Sequence, residues 1–176
     1  MNIFISGGCK NGKSMYAQEL AKKMSCEKKV QLYYLATMKP MDNEDLDRIS
    51  RHIEERKGWG FKTIEQSNNI CQCLKMADKD GSFLLDSVTA LLSNEMFHSD
   101  GSIDFGAPQR VARELEEFAE RTGNTVFVSD YIYSDAEVYD EVTEAYREGL
   151  ALIDKALAKV CHRVIEFCAG NAIEYK

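Results

Sequence analysis

The residues with the clearest chemical purpose lie near the start of the chain, in a glycine-rich segment that ends in a lysine and a serine. This segment is Gly7-Gly8-Cys9-Lys10-Asn11-Gly12-Lys13-Ser14. A polyphosphate needs closely spaced backbone N–H donors, which a glycine-rich turn presents, together with a cation for the outer phosphates and a hydroxyl for Mg²⁺. Gly7 and Gly12 supply the turn, Lys13 supplies the cation and Ser14 supplies the hydroxyl. The segment therefore predicts a phosphate-binding P-loop.

Strand and helix patterns on either side of this loop predict how it is held. An apolar run precedes it and a helical pattern follows it, so the helix N-terminus would point at the bound anion. Further runs rich in Val, Ile, Phe and Tyr alternate with longer periodic segments. The predicted strands cover residues 3–6, 30–36, 83–85, 125–129 and 164–168. The predicted helices cover residues 13–24, 43–57, 69–77, 87–97, 108–121 and 141–160.

The alternation of strands and helices predicts the fold class. We expect an α/β protein with a three-layer, P-loop NTP hydrolase-like fold, a mostly parallel sheet and right-handed crossovers. The strand runs mostly lack alternating polarity, which suits a sheet covered on both faces. A length of 176 residues with 44% hydrophobic residues suits a single domain over residues 1–176. Gly123 is the predicted stop of the helix that ends near Arg121.

Two aspartates follow predicted strands, where ligands bind in such sheets. Asp86 ends the run Phe83-Leu84-Leu85, the setting in which P-loop proteins place the acidic residue that orients Mg²⁺ or its water. An aspartate there also suits the N-cap of the next helix. Asp130 follows the fourth predicted strand and has the same two interpretations. The sequence leaves both open.

The predicted helix over residues 43–57 carries the second candidate for chemistry. Its apolar positions predict a buried stripe formed by Leu46, Ile49 and Ile53. Arg48, His52 and Arg56 follow one another four residues apart on an adjacent flank, so His52 is expected between two guanidinium groups. Such arginines suit a phosphate that a ring nitrogen attacks. His52 as an ordinary surface residue is the alternative interpretation.

Composition excludes several classes of partner. A net charge of −7 and a sequence pI near 5.1 argue against a nucleic-acid surface, which requires a basic face. No stretch approaches the ~20 apolar residues of a membrane span. The first apolar run begins close to the first residue, so we expect no signal peptide. Six scattered cysteines lack zinc-site spacing and disulfide-scaffold density. We therefore expect reduced thiols and a cytoplasmic location.

Several short segments occur in the order and at the distances found in one enzyme family. They are Ile5-Ser6-Gly7-Gly8, Gly12-Lys13-Ser14, Tyr34-Leu35-Ala36-Thr37, Arg48-Ile49-Ser50-Arg51-His52, Trp59, Glu65, Leu84-Leu85-Asp86-Ser87-Val88-Thr89, Asn94 and Phe97. Together they resemble the bifunctional adenosylcobinamide kinase and adenosylcobinamide-phosphate guanylyltransferase family of cobalamin biosynthesis. The resemblance covers about the first hundred residues well.

This resemblance implies a transferase with two reactions. The P-loop would bind ATP or GTP with Mg²⁺ at Ser14 and Asp86, and Lys13 would neutralise charge on a transferring phosphoryl group. His52 would attack the α-phosphorus of GTP, carry GMP covalently and pass it to a corrinoid phosphate. The family is generally trimeric, so a homo-oligomer is implied. Guanine-nucleotide contacts are implied for Ala36, Thr37, Met38, Ile53, Glu54, Glu55, Arg56, Glu65 and Asp86.

The second half of the chain departs from the family pattern. After the fourth predicted strand it has Ser129-Asp130-Tyr131-Ile132-Tyr133, and the last predicted helix has Ala151, Asp154 and Lys155 where the family typically has Gly, Asn and Gln. These regions are expected to shape the acceptor side or a subunit contact. Two alternatives therefore remain: a P-loop kinase or nucleotidyltransferase with a different acceptor, and a nucleotide-binding regulator without turnover.

Overall fold

A single mostly parallel sheet forms the centre of the molecule. The computed structural model describes residues 1–40 and 42–176, except the side chains of residues 44 and 48. The strands are β1 (Ile3–Gly7), β2 (Leu32–Ala36), β3 (Phe61–Glu65), β4 (Ser82–Asp86), β5 (Thr125–Asp130), β6 (Arg163–Cys168) and β7 (Asn171–Glu174). Their order in the seven-stranded sheet is β3-β2-β4-β5-β1-β6-β7. All neighbours pair in parallel except β6 and β7, which confirms the predicted fold class.

Helices cover both faces of this sheet. They are α1 (Lys13–Lys28), α2 (Asn43–Glu55), α3 (Val88–Met96), α4 (Ala107–Thr122) and α5 (Glu141–Val160), with a 3₁₀ helix over Ile70–Lys75. Side chains of β1 alternate between the two hydrophobic clusters: Ile3 and Ile5 pack with α1, and Phe4 packs with the cluster that includes residues of α3, α4 and α5. Because successive strand residues point to opposite faces, one strand stabilises both layers.

Helix ends follow local rules that the sequence carries. Gly123 ends α4 with a φ of 64°, a left-handed conformation that glycine adopts at low cost, and the predicted stop is thus confirmed. The side chain of Asp140 caps α5 by accepting from the backbone N–H groups of Val142 and Thr143. Asp42 caps α2 by accepting from the backbone N–H of Asp45.

Three elements differ from the sequence-based expectations. The segment predicted as a helix over residues 69–77 is the shorter 3₁₀ helix. Strands β3 and β7 were not predicted, because each lies at an edge of the sheet where outward side chains stay polar. In β3 only Ile64 is fully buried, and every residue of β7 is exposed. Edge strands lack the continuous apolar run that marks the central strands.

Two predictions from composition can be compared with the described residues. None of the helices in the described ranges has both the length and the apolar character that a membrane crossing requires. None of the six cysteines forms a disulfide in the described residues. The carboxyl ends of β1, β2, β4 and β5 meet at one edge of the sheet, because these strands are parallel.

Candidate active site

The P-loop connects β1 to α1 and is fixed by its own side chains. Gly12 precedes α1 with a φ of 94°, a conformation that favours glycine. Asn11 donates from Nδ2 to the carbonyl of Phe167, at 2.6 Å, and its Oδ1 accepts from the backbone N–H of Lys13. A Cβ at Gly7 would lie 2.4 Å from the Phe167 carbonyl oxygen. Glycine at this position therefore lets the loop pass close to β6.

Lys13 does not extend freely into solvent. Its Nζ donates to Asp130 Oδ1 at 2.5 Å and to the carbonyl of Gly8 at 3.0 Å. The side chains of Lys13 and Asp130 are only 7% and 11% exposed. Asp130 is aligned with Gly7 across β5 and β1, and the next helix begins eleven residues later at Glu141. The N-cap interpretation of Asp130 is therefore wrong, because its carboxylate is the counter-ion of Lys13.

A cavity of about 360 Å³ opens over the P-loop, and we call it the P-loop cavity. Its walls come from the loop, the start of α1, and the first and last turns of α2. They are formed by Lys10, Asn11, Gly12, Lys13, Ser14, Met15, Asp42, Asp45, Arg51, His52 and Glu55. A site with backbone N–H groups, lysine and a helix N-terminus has the chemistry to bind a polyphosphate.

A larger cavity of about 540 Å³ lies at the carboxyl ends of β2, β3 and β4, and we call it the strand-end cavity. Its lining combines apolar side chains with a few charged and amide groups. The lining residues are Tyr34, Ala36, Met38, Lys39, Pro40, Leu46, Ile49, His52, Ile53, Arg56, Thr63, Glu65, Gln66, Ser67, Asp86 and Ser87. Mostly apolar walls with a few polar groups are typical of small-molecule sites.

Three side chains that line the strand-end cavity contact one another. The guanidinium of Arg56 lies over the ring of Tyr34, 3.5 Å from its centroid. Tyr34 donates its hydroxyl to Asp86 Oδ2 at 3.3 Å. Burial, together with the Asp86 carboxylate, raises the pKa of Tyr34 well above its ordinary value, so the hydroxyl remains a donor. Arg56 is 7% exposed, yet its Nη1 has no hydrogen-bond partner, which leaves a buried donor available to a ligand.

The loops after β2, β3 and β4 are tied together behind this cavity. Asn94 on α3 donates to the carbonyl of Thr37 at 2.7 Å and to that of Ser67 at 3.0 Å. Thr37 Oγ1 exchanges hydrogen bonds with the backbone N–H and carbonyl of Ser87, each at 2.8 Å. Ser87 also caps α3 by accepting from the backbone N–H of Ala90. The N-cap interpretation of Asp86 is therefore wrong, and its carboxylate faces the cavity.

His52 lies where the two cavities meet and lines both of them. Its Nδ1 is buried, makes no hydrogen bond and lies 3.5 Å from Glu55 Oε2. Arg56 stacks on Tyr34 and lines the strand-end cavity together with His52. The side chain of Arg48 lies outside the described residues, so the placement of the ring between two guanidinium groups stays a prediction. Among the described side chains, the carboxylate of Glu55 lies beside the ring.

The predicted buried stripe of α2 is also wrong. Leu46 and Ile53 are 50% and 56% exposed, and Ile49 is half-buried. These three residues line the strand-end cavity instead of entering a core. The periodicity correctly predicted a helix with one apolar face, but an apolar face packs equally well against a protein core or a bound ligand.

The predicted site residues fall into three groups: those that line the strand-end cavity, those that line the P-loop cavity and those that line neither. Ala36, Met38, Ile53, Arg56, Glu65 and Asp86 line the strand-end cavity, and Lys10, Asn11, Gly12, Lys13, Ser14 and Glu55 line the P-loop cavity. Glu54 pairs with Lys57 at the surface, and the side chain of Thr37 is used within the protein. Gly7, Gly8 and Cys9 form the approach to the loop without lining either cavity.

Tyr34 and Asn94 were not among the predicted site residues. Tyr34 lies two residues before Ala36 on the same strand, and residues two apart share a face of a sheet. That spacing placed Tyr34 beside the predicted nucleotide contacts. Asn94 is among the residues that match the family pattern, but the pattern did not indicate its role, because that role depends on two carbonyl groups from separate loops.

The comparison with family models identifies the group to which these features belong. Residues 3–175 match the model described as cobinamide kinase / cobinamide phosphate guanyltransferase. The chain belongs to this family. It is therefore a member of a transferase family of cobalamin biosynthesis, as its resemblance implied. The match extends beyond residue 128, so the segments that depart from the family pattern lie within the family's fold.

Curated relatives carry compatible names. The bifunctional adenosylcobalamin biosynthesis protein CobP of Pseudomonas aeruginosa is 28% identical over 181 aligned positions, which cover 100% of this chain and 98% of that protein. The bifunctional adenosylcobalamin biosynthesis protein CobU of Escherichia coli is 29% identical over 106 positions, which cover 59% of this chain and 55% of that protein.

A solved structure supports the fold alone. The KaiC-like protein PH0186 of Pyrococcus horikoshii is similar to this chain with a TM-score of 0.51 at 12% identity. The similarity covers 94% of this chain and 69% of that one. The α/β fold of this chain, built on a central sheet, is thus shared with a solved structure.

Proposed function

We propose that this protein phosphorylates adenosylcobinamide with ATP or GTP and then transfers GMP from GTP to adenosylcobinamide phosphate. The observation that carries the second reaction is the place of His52, which lines both the P-loop cavity and the strand-end cavity. A nucleotide that puts its base in one cavity and its outer phosphates in the other presents its α-phosphate to this imidazole. We further propose that the enzyme works in the cytoplasm as a homo-oligomer.

The proposed guanylyl transfer has two steps, and in each step one bond to the α-phosphorus forms and another breaks. A nitrogen of His52 attacks the α-phosphorus of GTP, so that an N–P bond forms, the α–β P–O bond breaks and pyrophosphate leaves. An oxygen of the corrinoid phosphate then attacks the same phosphorus, and the N–P bond breaks. Because Nδ1 is buried beside Glu55, we assign the attack to Nε2. Glu55 would hold the ring with Nδ1 turned inward.

The strand-end cavity supplies the groups that a guanine nucleotide needs. Arg56 offers an unpartnered buried donor, whereas Asp86 and Glu65 offer carboxylate acceptors. Tyr34 and the apolar side chains of α2 supply flat, apolar surface for a base. Ala36 and Met38 would contribute to the same wall, whereas Thr37 is fully buried and supports the wall from behind.

The phosphoryl transfer depends on the P-loop. The loop N–H groups and Lys13 would neutralise the charge that spreads over the γ-phosphoryl group as it moves to the acceptor hydroxyl. The oxygen donors Ser14 and Asp86 suit Mg²⁺, a hard cation that prefers such ligands and takes others from substrate phosphates. When bound, the ion would neutralise phosphate charge. Ser14 lines the P-loop cavity, and Asp86 lines the strand-end cavity.

Incubation with GTP labelled in its α-phosphate tests the covalent step. We expect acid-labile label on the parent protein and none on His52→Ala. His98→Ala is the matched control, because His98 is exposed in the loop after α3, and it should label like the parent. Unlabelled parent protein that still phosphorylates a corrinoid would restrict the function to a kinase. Nucleotide binding without either reaction would favour the regulatory alternative.

Addition of adenosylcobinamide phosphate to the labelled protein tests the acceptor. The label should move from the protein to the corrinoid. With GTP present, one pyrophosphate should be released for each GMP that is transferred. Label that stays on the protein with this acceptor would instead support a nucleotidyltransferase with a different one.

A further inference from the structure

The ion pair between Lys13 and Asp130 has a consequence for ligand binding. A P-loop lysine acts by reaching the outer phosphates of a nucleotide. Here its ammonium group is already bound, 2.5 Å from Asp130 Oδ1, although the residue lines the P-loop cavity. A phosphate that enters the cavity meets a cation whose charge is matched by a carboxylate.

Asp130 depends strongly on this one cation. Its carboxylate is 11% exposed, and burial of an unpaired charge is costly. Its neighbours offer little compensation: Cys9 Sγ lies 3.8 Å from Oδ1, and the charge of Asp130 helps to raise the pKa of Asp154 and Tyr146. Among the described side chains, Lys13 is the basic group found in an ion pair with it.

We propose that Asp130 is an internal competitor for Lys13, so that a polyphosphate must draw the ammonium away from this carboxylate in order to bind. Asp130 is thus a positioning residue that acts through Lys13. In the empty site it holds the cation against the end of β5. When a ligand binds, part of the binding free energy is used to separate the pair, and the carboxylate remains close to the phosphates.

The same competition favours a particular ligand class. A single phosphate offers few contacts to the loop and gains little from Lys13 while Asp130 retains it. A chain of phosphates also takes up the loop N–H groups and the N-terminus of α1, which offsets the cost of the exchange. The pair therefore discriminates for polyphosphates over monophosphates.

This proposal rests on the P-loop being a polyphosphate site, which the parent protein tests separately. Calorimetric titration with inorganic tripolyphosphate and Mg²⁺ should detect binding to the parent. An absence of binding there would contradict the proposed role of the loop. The competition itself is tested by comparing the parent with Asp130→Asn, which keeps the side-chain shape and removes the charge.

Asp130→Asn should bind tripolyphosphate about tenfold more tightly than the parent, because the competing state is removed. Its melting temperature without ligand should fall, and saturating tripolyphosphate should close that gap. Asp130→Glu restores the charge and should restore an affinity near that of the parent. Unchanged or weaker binding by Asp130→Asn would overturn the proposal.

Glu95→Gln is the matched control for loss of a buried carboxylate. Glu95 is 6% exposed and pairs with Arg110 at 3.1 Å, but it lines neither cavity. This variant should lose melting temperature without a change in tripolyphosphate affinity. Equal tightening in both variants would indicate a general effect of destabilisation and contradict the proposal.

A measurement on the parent avoids dependence on any variant. With ¹³C-labelled aspartate, the carboxyl resonance of Asp130 should shift as tripolyphosphate saturates the loop, because Lys13 leaves it. The resonance of Asp140, which caps α5 and lines neither cavity, serves as the internal reference. An Asp130 resonance that stays in place at saturation would contradict the exchange.

Discussion

The two cavities that meet at His52 are built in different ways. The P-loop cavity takes six of its eleven lining residues from one consecutive segment, Lys10 to Met15, and the other five from α2 and its N-cap. The loop itself is held by its backbone conformation, by the local contact of Asn11 with Lys13 and by the contact of Asn11 with Phe167. The strand-end cavity takes its walls from β2, β3, β4 and α2, and a network through Asn94 and Thr37 holds them together. The phosphate-binding loop is thus largely determined by residues that are consecutive in the sequence. The proposed base pocket instead requires residues from separate strands and a helix to come together.

This difference predicts separable effects of mutation. Changes in the P-loop should reduce the rate at which phosphate is transferred. Changes in the network behind the strand-end cavity should instead weaken the binding of the guanine nucleotide.

The largest effect is expected for Lys13→Ala. Removal of the cation that neutralises transition-state charge should lower the rate of corrinoid phosphorylation by about 10²- to 10³-fold. Steady-state kinetics with ATP measures this rate. Lys23→Ala is the control, because Lys23 is exposed on α1 and pairs with Glu27, and its rate should match the parent. A rate close to that of the parent in Lys13→Ala would contradict the role of the loop in transfer.

For Asn94→Asp we expect a smaller loss of activity, and we expect it in guanylyl transfer rather than in phosphorylation. The carboxylate cannot donate to the carbonyl groups of Thr37 and Ser67, and it would repel both. We expect the KM for GTP in histidine labelling to rise about tenfold, with phosphorylation by ATP nearly unchanged. Asn171→Asp, on the exposed edge strand β7, provides the control. An equal loss in both reactions would show that the cavities are not independent.

Glu55→Gln should have a milder effect on the labelling step. The exposed carboxylate lies 3.5 Å from His52 Nδ1, and its loss leaves the ring less firmly oriented. We expect labelling to slow by roughly threefold to tenfold. The adjacent Glu54→Gln removes a more exposed charge that pairs with Lys57 instead, and it should label normally. Identical rates in the two variants would remove Glu55 from the proposed mechanism.

The smallest effect on labelling by GTP is expected for Asp154→Asn. This substitution should instead change how the free energy of unfolding depends on pH. Burial raises the pKa of Asp154 from 3.8 to about 7. Between these values the folded state retains a proton that the unfolded state has lost. The free energy of unfolding should therefore fall as pH rises from about 4 to about 7, by on the order of 2–4 kcal/mol. Denaturant titrations across this range should show a flatter profile for the variant.

Asp154 also connects the stability prediction to the comparison of the cavities. Its side chain accepts from Tyr133 at 2.9 Å and lies within the field of Asp130. Asp154→Asn should therefore leave GTP labelling unchanged while it stabilises the protein at pH 8. A parallel loss of labelling would place Asp154 in the strand-end network, contrary to the structure.

Much of the fold could be predicted because it depends on local signals. The central strands are apolar runs, Gly123 stops α4, and α5 covers the predicted residues 141–160. The edge strands β3 and β7 could not be predicted in the same way, because their pairing is decided by a neighbouring strand and not by their own apolar content. The wrong interpretation of Leu46 and Ile53 has a similar cause, since a helical pattern does not specify what covers its apolar face.

By itself, the sequence determined the P-loop, the order of strands and helices, and a histidine that resembles a family nucleophile. These features depend on residue types at short spacing, where backbone geometry and local hydrogen bonds dominate. Only the tertiary structure decided that Asp130 holds Lys13, that Arg56 stacks on Tyr34, and that His52 lies between two cavities. Those contacts join residues from separate elements, because parallel strands bring distant parts of the chain to one edge of the sheet.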